Sequence, residues 1–252
     1  MIVEHWGLIP VGGVIATIAM FTGLGGGVLW MPFLLSVMDM QPREAVFCTL
    51  LIQFCGQVSA TVTNNQQKQI DWCLVQMMAI AGVLSVMAGV VFSSLLRPLW
   101  IKFFLGLTIF FIAYVFLRGD DFFEQGGDKT DYRVARKGQL ITAIGGILTG
   151  FMGVGVGDWL VPFLNKHCKL TMARSVASSI ALMMVLSAAA LTAHFLLGTT
   201  MRWDIAIPGI IGVIGGAQIG SRLLQVVSEV RFKELFVLML VFLATHVTFN
   251  AL

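Results

Sequence analysis

The chain carries little charge. Only 12% of its 252 residues are Asp, Glu, Lys or Arg, whereas soluble domains carry about 25%. Hydrophobic residues make up 58% of the chain, and the mean hydropathy is +0.90. Since a membrane-spanning helix needs about 20 apolar residues, we predict an all-α polytopic membrane protein with about eight transmembrane helices.

Motifs for catalysis and nucleotide binding are also lacking. The patterns GxSxG, HExxH and GxxxxGK[ST] do not occur. The four cysteines, Cys48, Cys55, Cys73 and Cys168, show no CxxC or Cys/His spacing suited to a metal, and we interpret them as small buried hydrophobes. We therefore expect a protein that is not an enzyme, with no cofactor, no metal site and no nucleic-acid partner.

Eight apolar runs are separated by short polar or charged links. They cover residues 7–38, 44–63, 71–96, 99–117, 139–164, 171–197, 203–225 and 230–252. The longest hydrophilic segment lies between the fourth and fifth runs. We predict a first transmembrane repeat over residues 1–117, a polar linker over 118–138 and a second transmembrane repeat over 139–252.

A glycine-rich motif occurs twice in the chain. FTGLGGGVLWMPFL begins at Phe21 and FMGVGVGDWLVPFL begins at Phe151, with seven of the fourteen aligned positions identical. The segments that follow, REAVFCT and ARSVASS, align at the same offset of 130 residues. Each half therefore reads as a four-segment unit whose first helix is broken at the glycines.

The broken helices indicate an anion site. Irregular backbone persists at membrane depth only where it is buried in protein or lines a wet cavity, and glycine exposes backbone amides. Pro32 and Pro162 each remove a further amide and free a carbonyl one turn earlier. Because a helix N-terminus attracts anions, we predict that substrate binds to the glycines of both motifs, Gly23, Gly25, Gly26, Gly27, Gly153, Gly155 and Gly157. The alternative is that these glycines only allow close helix packing.

The paired motifs resemble those of the sulfite exporter family, TauE/SafE. The resemblance rests on GLGGGVLWMPFLL with EAVFCTLLI, and on GVGVGDWLVPFL with RSVASSIAL. It implies a secondary transporter of about eight helices in the bacterial inner membrane, carrying sulfite, sulfonates or related small sulfur-containing anions. Two positions depart from a strict repeat: Val156 stands opposite Gly26, and Asp158 stands opposite Val28.

Polar residues in the apolar runs extend the predicted site. Thr49, Ser178 and Ser179 follow the two breaks, and their hydroxyls can donate to an anion without adding a charge. Gln53 and Gln57 lie four residues apart and share a helix face, either lining the site or bonding between helices. Asp158 has two open roles, a proton-coupling carboxyl or a cap for the half-helix that follows.

The topology of the repeats depends on the breaks. If each broken helix crosses the membrane, each unit makes an even number of crossings, and the two halves share one orientation. If the break turns the chain back, the halves are inverted. We favour the first arrangement and, from the Lys and Arg residues in the links, both termini outside.

The sequence therefore predicts a secondary transporter for a small anion, with the lipid bilayer as its surroundings and protons as a candidate coupling ion. An anion channel of the same fold and a membrane assembly factor that moves nothing remain alternatives.

Overall fold

The computed structural model describes residues 5–23, 25–118, 132–155 and 157–223. Most of the predicted linker and the predicted last segment, 230–252, lie outside the described residues. The helices are α1 (Leu8–Thr22), α2 (Gly27–Ser36), α3 (Pro42–Gln66), α4 (Trp72–Leu95), α5 (Pro98–Arg118), α6 (Tyr132–Ala135), α7 (Gly138–Met152), α8 (Gly157–Lys166), α9 (Met172–Leu196) and α10 (Trp203–Leu223).

The apolar helices are of two lengths, those long enough to span a membrane and those that are shorter. In the described ranges, α3, α4, α9 and α10 are long and apolar enough to cross a membrane. Helices α1 and α7 have 15 residues each, about 22 Å at 1.5 Å per residue, and fall short of a hydrocarbon core of about 30 Å. The all-helical, multi-pass prediction is confirmed, but the two glycine-broken runs do not supply simple spans.

The breaks fall at the predicted glycines. Helix α1 ends at Gly23, with φ 73°, and α7 ends at Gly153, with φ 71°. Both values lie in the left-handed region, which glycine adopts without the steric penalty of a Cβ atom. After each break the chain resumes as a helix of ten residues.

Each break reverses the chain direction. A methyl group added to Gly12 of α1 would lie 3.3 Å from the ring of Trp30 in α2. In a straight helix, two residues 18 positions apart are separated by about 27 Å. In the second motif, Phe163 of α8 lies in the same way against Gly138 of α7. We call residues 8–36 hairpin 1 and residues 138–166 hairpin 2.

Contacts between the helices fix their directions. The carbonyls of Ile9, Gly13 and Thr17 in α1 lie against Gly212, Gly216 and Gly220 in α10, in that order, so these helices run the same way. Helix α3 also runs with α10, because Ile52 meets Gly209 and Gly56 meets Val213.

A second set of helices runs the opposite way. Helix α7 runs with α4, because Gly138 meets Met78 and Gly150 meets the carbonyl of Val86. Phe47, near the start of α3, packs on His194, near the end of α9, with ring centroids 6.1 Å apart. Helix α4 runs with α9, because Asp71 meets Ser178 and Gly82 meets Leu186. Segments that match at an offset of 130 residues, α1 with α7 and α3 with α9, therefore run in opposite directions. The shared orientation that we favoured is wrong for these segments, because the hairpins return instead of crossing.

The helix ends form two faces of the molecule. At one end, the start of α3 meets the turn before α10, where the Thr200 hydroxyl donates to Glu44 Oε1 at 2.8 Å. We call this end the N-terminal face. At the other end, which we call the linker face, the Tyr132 hydroxyl donates to Asp71 Oδ2 at 3.2 Å, at the start of α4.

Exposed basic residues are divided unequally between these faces. The linker face carries Lys68, Arg136, Lys137, Lys166, Lys169 and Arg222, and the N-terminal face carries Arg43, Arg97 and Arg202. Helix α1 packs on α10, and α4 packs on α7. Each of these pairs joins a helix of the first predicted repeat to a helix of the second. The boundaries at residues 117 and 139 stay a prediction.

Candidate functional site

The two breaks meet in the interior, backbone to backbone. A methyl group added to Gly25 would lie 2.6 Å from Cα of Gly155, and one added to Gly155 would lie 2.8 Å from Cα of Gly25. On either side of this contact, Gly27 abuts the carbonyl of Gly153, and Gly157 abuts the carbonyl of Gly23. We call this meeting point the crossing. Side chains at these positions would push the hairpins apart.

Gln53 of α3 joins the two hairpins at the crossing. The amide N–H of Gly27, the first residue of α2, donates to Gln53 Oε1 at 2.9 Å. Gln53 Nε2 in turn donates to the carbonyl of Gly153 at 3.2 Å. The side chain is only 2% exposed. The side-chain amide of Gln53 thus pairs with the N–H that begins α2 in hairpin 1 and with the carbonyl at the end of α7 in hairpin 2.

Met183 of α9 occupies the position that matches Gln53 at an offset of 130. Its sulfur lies 2.7 Å from the position of a methyl group on Gly155 and 3.3 Å from that of one on Gly25. A thioether is a weak acceptor and donates no hydrogen bond, so the polar link on the α3 side has no counterpart here. Met183 was not among the predicted site residues, although the repeat offset points to it.

Two buried hydroxyls lie beside the crossing. Thr49 has its methyl group 3.6 Å from the position of a Cβ on Gly153. Ser179 lies between Val176 and Met183 on α9, whose side chains both reach the glycines. Both hydroxyl oxygens are fully buried and have no hydrogen-bond partner among the described residues. Their predicted contact with substrate stays a prediction.

Ser178, also predicted to bind substrate, is engaged at the linker face. The N–H of Asp71 donates to its hydroxyl oxygen at 3.0 Å. Asp71 Oδ1 accepts from the N–H of Leu74 at 3.1 Å and so caps α4. Ser178 therefore supports the start of α4, and its proposed contact with substrate stays a prediction.

The remaining predicted residues lie in or next to the hairpins. Gly26 precedes α2, with Gln53 Cβ 3.7 Å from the position of a methyl group. Pro32 and Pro162 lie inside α2 and α8, which continue through them. Asp158 is the second residue of α8, and its side chain lies outside the described part of the chain.

Donors at the crossing come from amides and hydroxyls. In the described ranges, no three His, Cys, Asp or Glu side chains are grouped closely enough to hold a metal ion. Backbone groups and short neutral side chains can bind and release a small polar solute, since they bring no fixed charge that would hold it permanently.

Long apolar helices around paired, glycine-broken hairpins are the architecture of a multi-pass membrane transporter. The chain belongs to the sulfite exporter TauE/SafE family, whose model matches residues 8–247. This is a family of membrane transporters, not of enzymes, and the resemblance stated above is confirmed.

Two curated proteins from strains of Xylella fastidiosa, each described as a probable membrane transporter protein, are similar to the chain. One is 23% identical over 215 residues, which cover 84% of this chain and 82% of the relative. The other is 22% identical over 214 residues with the same shares. No solved structure matches the chain significantly.

Proposed function

We propose that the protein is a secondary transporter that moves a small anion across the bacterial inner membrane and binds it at the crossing. The observation that carries this proposal is the meeting of the two glycine breaks, where α2 and α8 both begin. The sulfur-containing class of anion, such as sulfite or a sulfonate, comes from the description of the family.

Electrostatics favour an anion at this place. A helix N-terminus stabilises a negative charge by about 0.3–1 kcal/mol at a surface and by up to about 2 kcal/mol where partly buried. Two helices, α2 and α8, begin at the crossing, and in the described state Gln53 Oε1 accepts the N–H that begins α2. The unpaired hydroxyls of Thr49 and Ser179 supply further donors. This set suits an oxyanion with several acceptor oxygens.

The two halves are proposed to be inverted repeats that exchange access between the faces. Matching helices have equal lengths: 15 residues in α1 and α7, 10 in α2 and α8, and 25 in α3 and α9. Their opposite directions fit an axis that lies in the membrane plane. In such a protein, movement of one unit against the other opens the site to alternate sides.

Asp158 is proposed to cap α8, the second of its two predicted roles. In hairpin 1, Gln53 accepts the N–H that begins α2. The matching residue for hairpin 2 is Met183, which is a poor acceptor. Asp158, in the first turn of α8, places an acceptor on the hairpin itself. An acid in the first turn also interacts favourably with the helix dipole.

Uptake into proteoliposomes tests the proposal. Purified protein is reconstituted and supplied with labelled sulfite, sulfate, thiosulfate or a small sulfonate, with and without an imposed pH gradient. We expect saturable uptake of one anion, counterflow, and suppression by competing anions. Flux that does not saturate would indicate a channel, and no flux from folded protein would favour the assembly factor.

A pair of variants links uptake to the crossing. Gly155→Leu should abolish uptake, because its side chain would collide with Gly25 and Met183. Gly215→Leu is the matched control, since a methyl group there meets no atom within 4 Å. Normal uptake by a folded Gly155→Leu protein would refute the site.

A further inference from the structure

A row of buried polar side chains leads away from the crossing along α3. Gln57 is 0% exposed, Asn64 1% and Thr61 5%. Both polar atoms of Gln57, both polar atoms of the Asn64 side chain and the hydroxyl of Thr61 have no hydrogen-bond partner among the described residues. We call these three residues the α3 polar row.

The row is continuous with the crossing and ends at the linker face. At 3.6 residues per turn, Gln57 and Asn64 lie within about 40° of Gln53 around the helix axis, and Thr61 lies within about 80°. From Gln53 to Asn64 the helix rises about 16 Å. Asn64 is next to the turn that leads to α4, where Asn65 Oδ1 accepts from the indole N–H of Trp72 at 2.9 Å.

Buried side-chain amides with no protein partner are expected to bind water or a polar solute. Most buried polar side chains in folded proteins bond to protein or ordered water, and water occupies interior sites that offer two to four polar partners. The five polar atoms of the row are screened from bulk solvent and have no partner in the part of the chain that the structure describes. Water or a polar solute is the partner that fits.

The other half of the chain does not repeat this row. The residues of α9 that match Gln57, Thr61 and Asn64 are Ser187, Leu191 and His194. Leu191 is apolar, and His194 Nε2 lies 3.1 Å from the carbonyl of Gly150 as a hydrogen-bond partner. Ser187 is buried with an unpaired hydroxyl, but Leu191 and His194 interrupt the match. Among the described residues, a row of three side chains with unpaired polar atoms therefore lies on α3 and is not repeated on α9.

We propose that Gln57, Thr61 and Asn64 line a hydrated path between the crossing and the linker face, through which the transported anion enters or leaves its site. The inference rests on the proposed transport function for its cargo. Neutral amides and a hydroxyl replace part of the hydration of an anion without the fixed positive charge that would retain it.

Thiol accessibility tests the path without relying on transport. The four native cysteines are replaced by alanine, and cysteine is introduced singly at Gln57, Thr61 or Asn64 in the full chain in vesicles. A membrane-impermeant anionic methanethiosulfonate is then applied to each side. Ile52→Cys is the buried control, since Ile52 packs on Gly209, and Lys68→Cys is the exposed control.

We expect the three row positions to react from the linker face at least about tenfold faster than Ile52→Cys, as water-lined sites require. Equal rates at the row positions and at Ile52→Cys would overturn the path, even if the protein transports. Fast reaction in a protein that transports none of the tested anions would support the path and count against the anion proposal.

A second variant separates a path from a packing defect. Gln57→Leu removes two unpaired polar atoms and keeps a similar volume, so the thermal midpoint should stay equal or rise. If the row conducts the solute, uptake should nevertheless fall by about tenfold, the effect of one lost hydrogen-bonding group on the route. Unchanged uptake with an unchanged midpoint would contradict the proposal.

Discussion

Gly25→Ala tests whether the hairpins pack backbone to backbone. The added methyl group would lie 2.6 Å from Cα and 2.9 Å from the amide nitrogen of Gly155. Two carbons are most favourably separated by about 3.5–4.0 Å, so the overlap is roughly 1 Å. Backbone atoms cannot turn aside as a side chain can, and the hairpins must separate. Overpacking of this kind costs about 1–3 kcal/mol.

Thermal unfolding of the purified protein in detergent measures this effect. In soluble domains of 150–250 residues, 1 kcal/mol shifts the midpoint by about 2–4 °C, so we expect a fall of about 2–12 °C together with loss of uptake. Gly26→Ala is the matched control in the same loop. The methyl group there would find its nearest atom at 3.7 Å, and φ at this residue is −50°, which alanine adopts freely.

The comparison between the two variants decides the question. A Gly25→Ala midpoint equal to that of Gly26→Ala, with normal uptake, would show that the breaks do not touch as described. A lower midpoint for both variants would instead show that the loop tolerates no side chain. The close contact with Gly155 would then not explain the effect of Gly25→Ala.

Three further outcomes are expected. Gln53→Leu should lower the free energy of unfolding by about 1–3 kcal/mol for each backbone group it leaves unpaired, whereas Gln57→Leu, which breaks no bond, should not; equal losses would contradict the link. Asp158→Leu removes both the acceptor and the charge from the first turn of α8 and should destabilise the protein by about 0.3–1 kcal/mol. Asp158→Asn keeps an acceptor and should preserve most of the midpoint and the pH profile of uptake; a flattened profile would indicate proton coupling instead. Because basic residues concentrate on the cytoplasmic side, Lys68→Cys should react with an impermeant thiol reagent only after cells are permeabilised, and Arg97→Cys should react in intact cells; the reverse pattern would invert the orientation.

Local sequence patterns predicted the helices and the breaks closely. The apolar run 171–197 became α9 (Met172–Leu196), and the run 44–63 became most of α3 (Pro42–Gln66). Gly23 and Gly153 end their helices because only glycine adopts positive φ there without strain. These features depend on residues close together in the chain, and local composition therefore indicates them.

The reversal of the chain at each break was the alternative that we did not favour, because hydrophobicity is the same for a helix that crosses the membrane and for one that returns. Run length held the missing signal. The run 7–38 is longer than one span of about 20 residues and shorter than two. That length suits a helix that enters the membrane, a break, and a second helix that returns. The contact of Gly25 with Gly155 is likewise beyond local patterns, since it joins residues 130 positions apart.

Gln53 and Met183 occupy matching positions of the two halves but differ in hydrogen bonding, so the two proposed access states should differ in free energy. If the halves exchange roles during transport, each contact of hairpin 1 has a mirrored contact of hairpin 2. Gln53 makes two hydrogen bonds at the crossing in the state described here, and Met183 cannot make their mirrored equivalents. At about 0.5–1.5 kcal/mol for each bond, the described state gains about 1–3 kcal/mol, a factor of roughly 5–150 in population. The resting preference of the transporter would then follow from one side-chain pair.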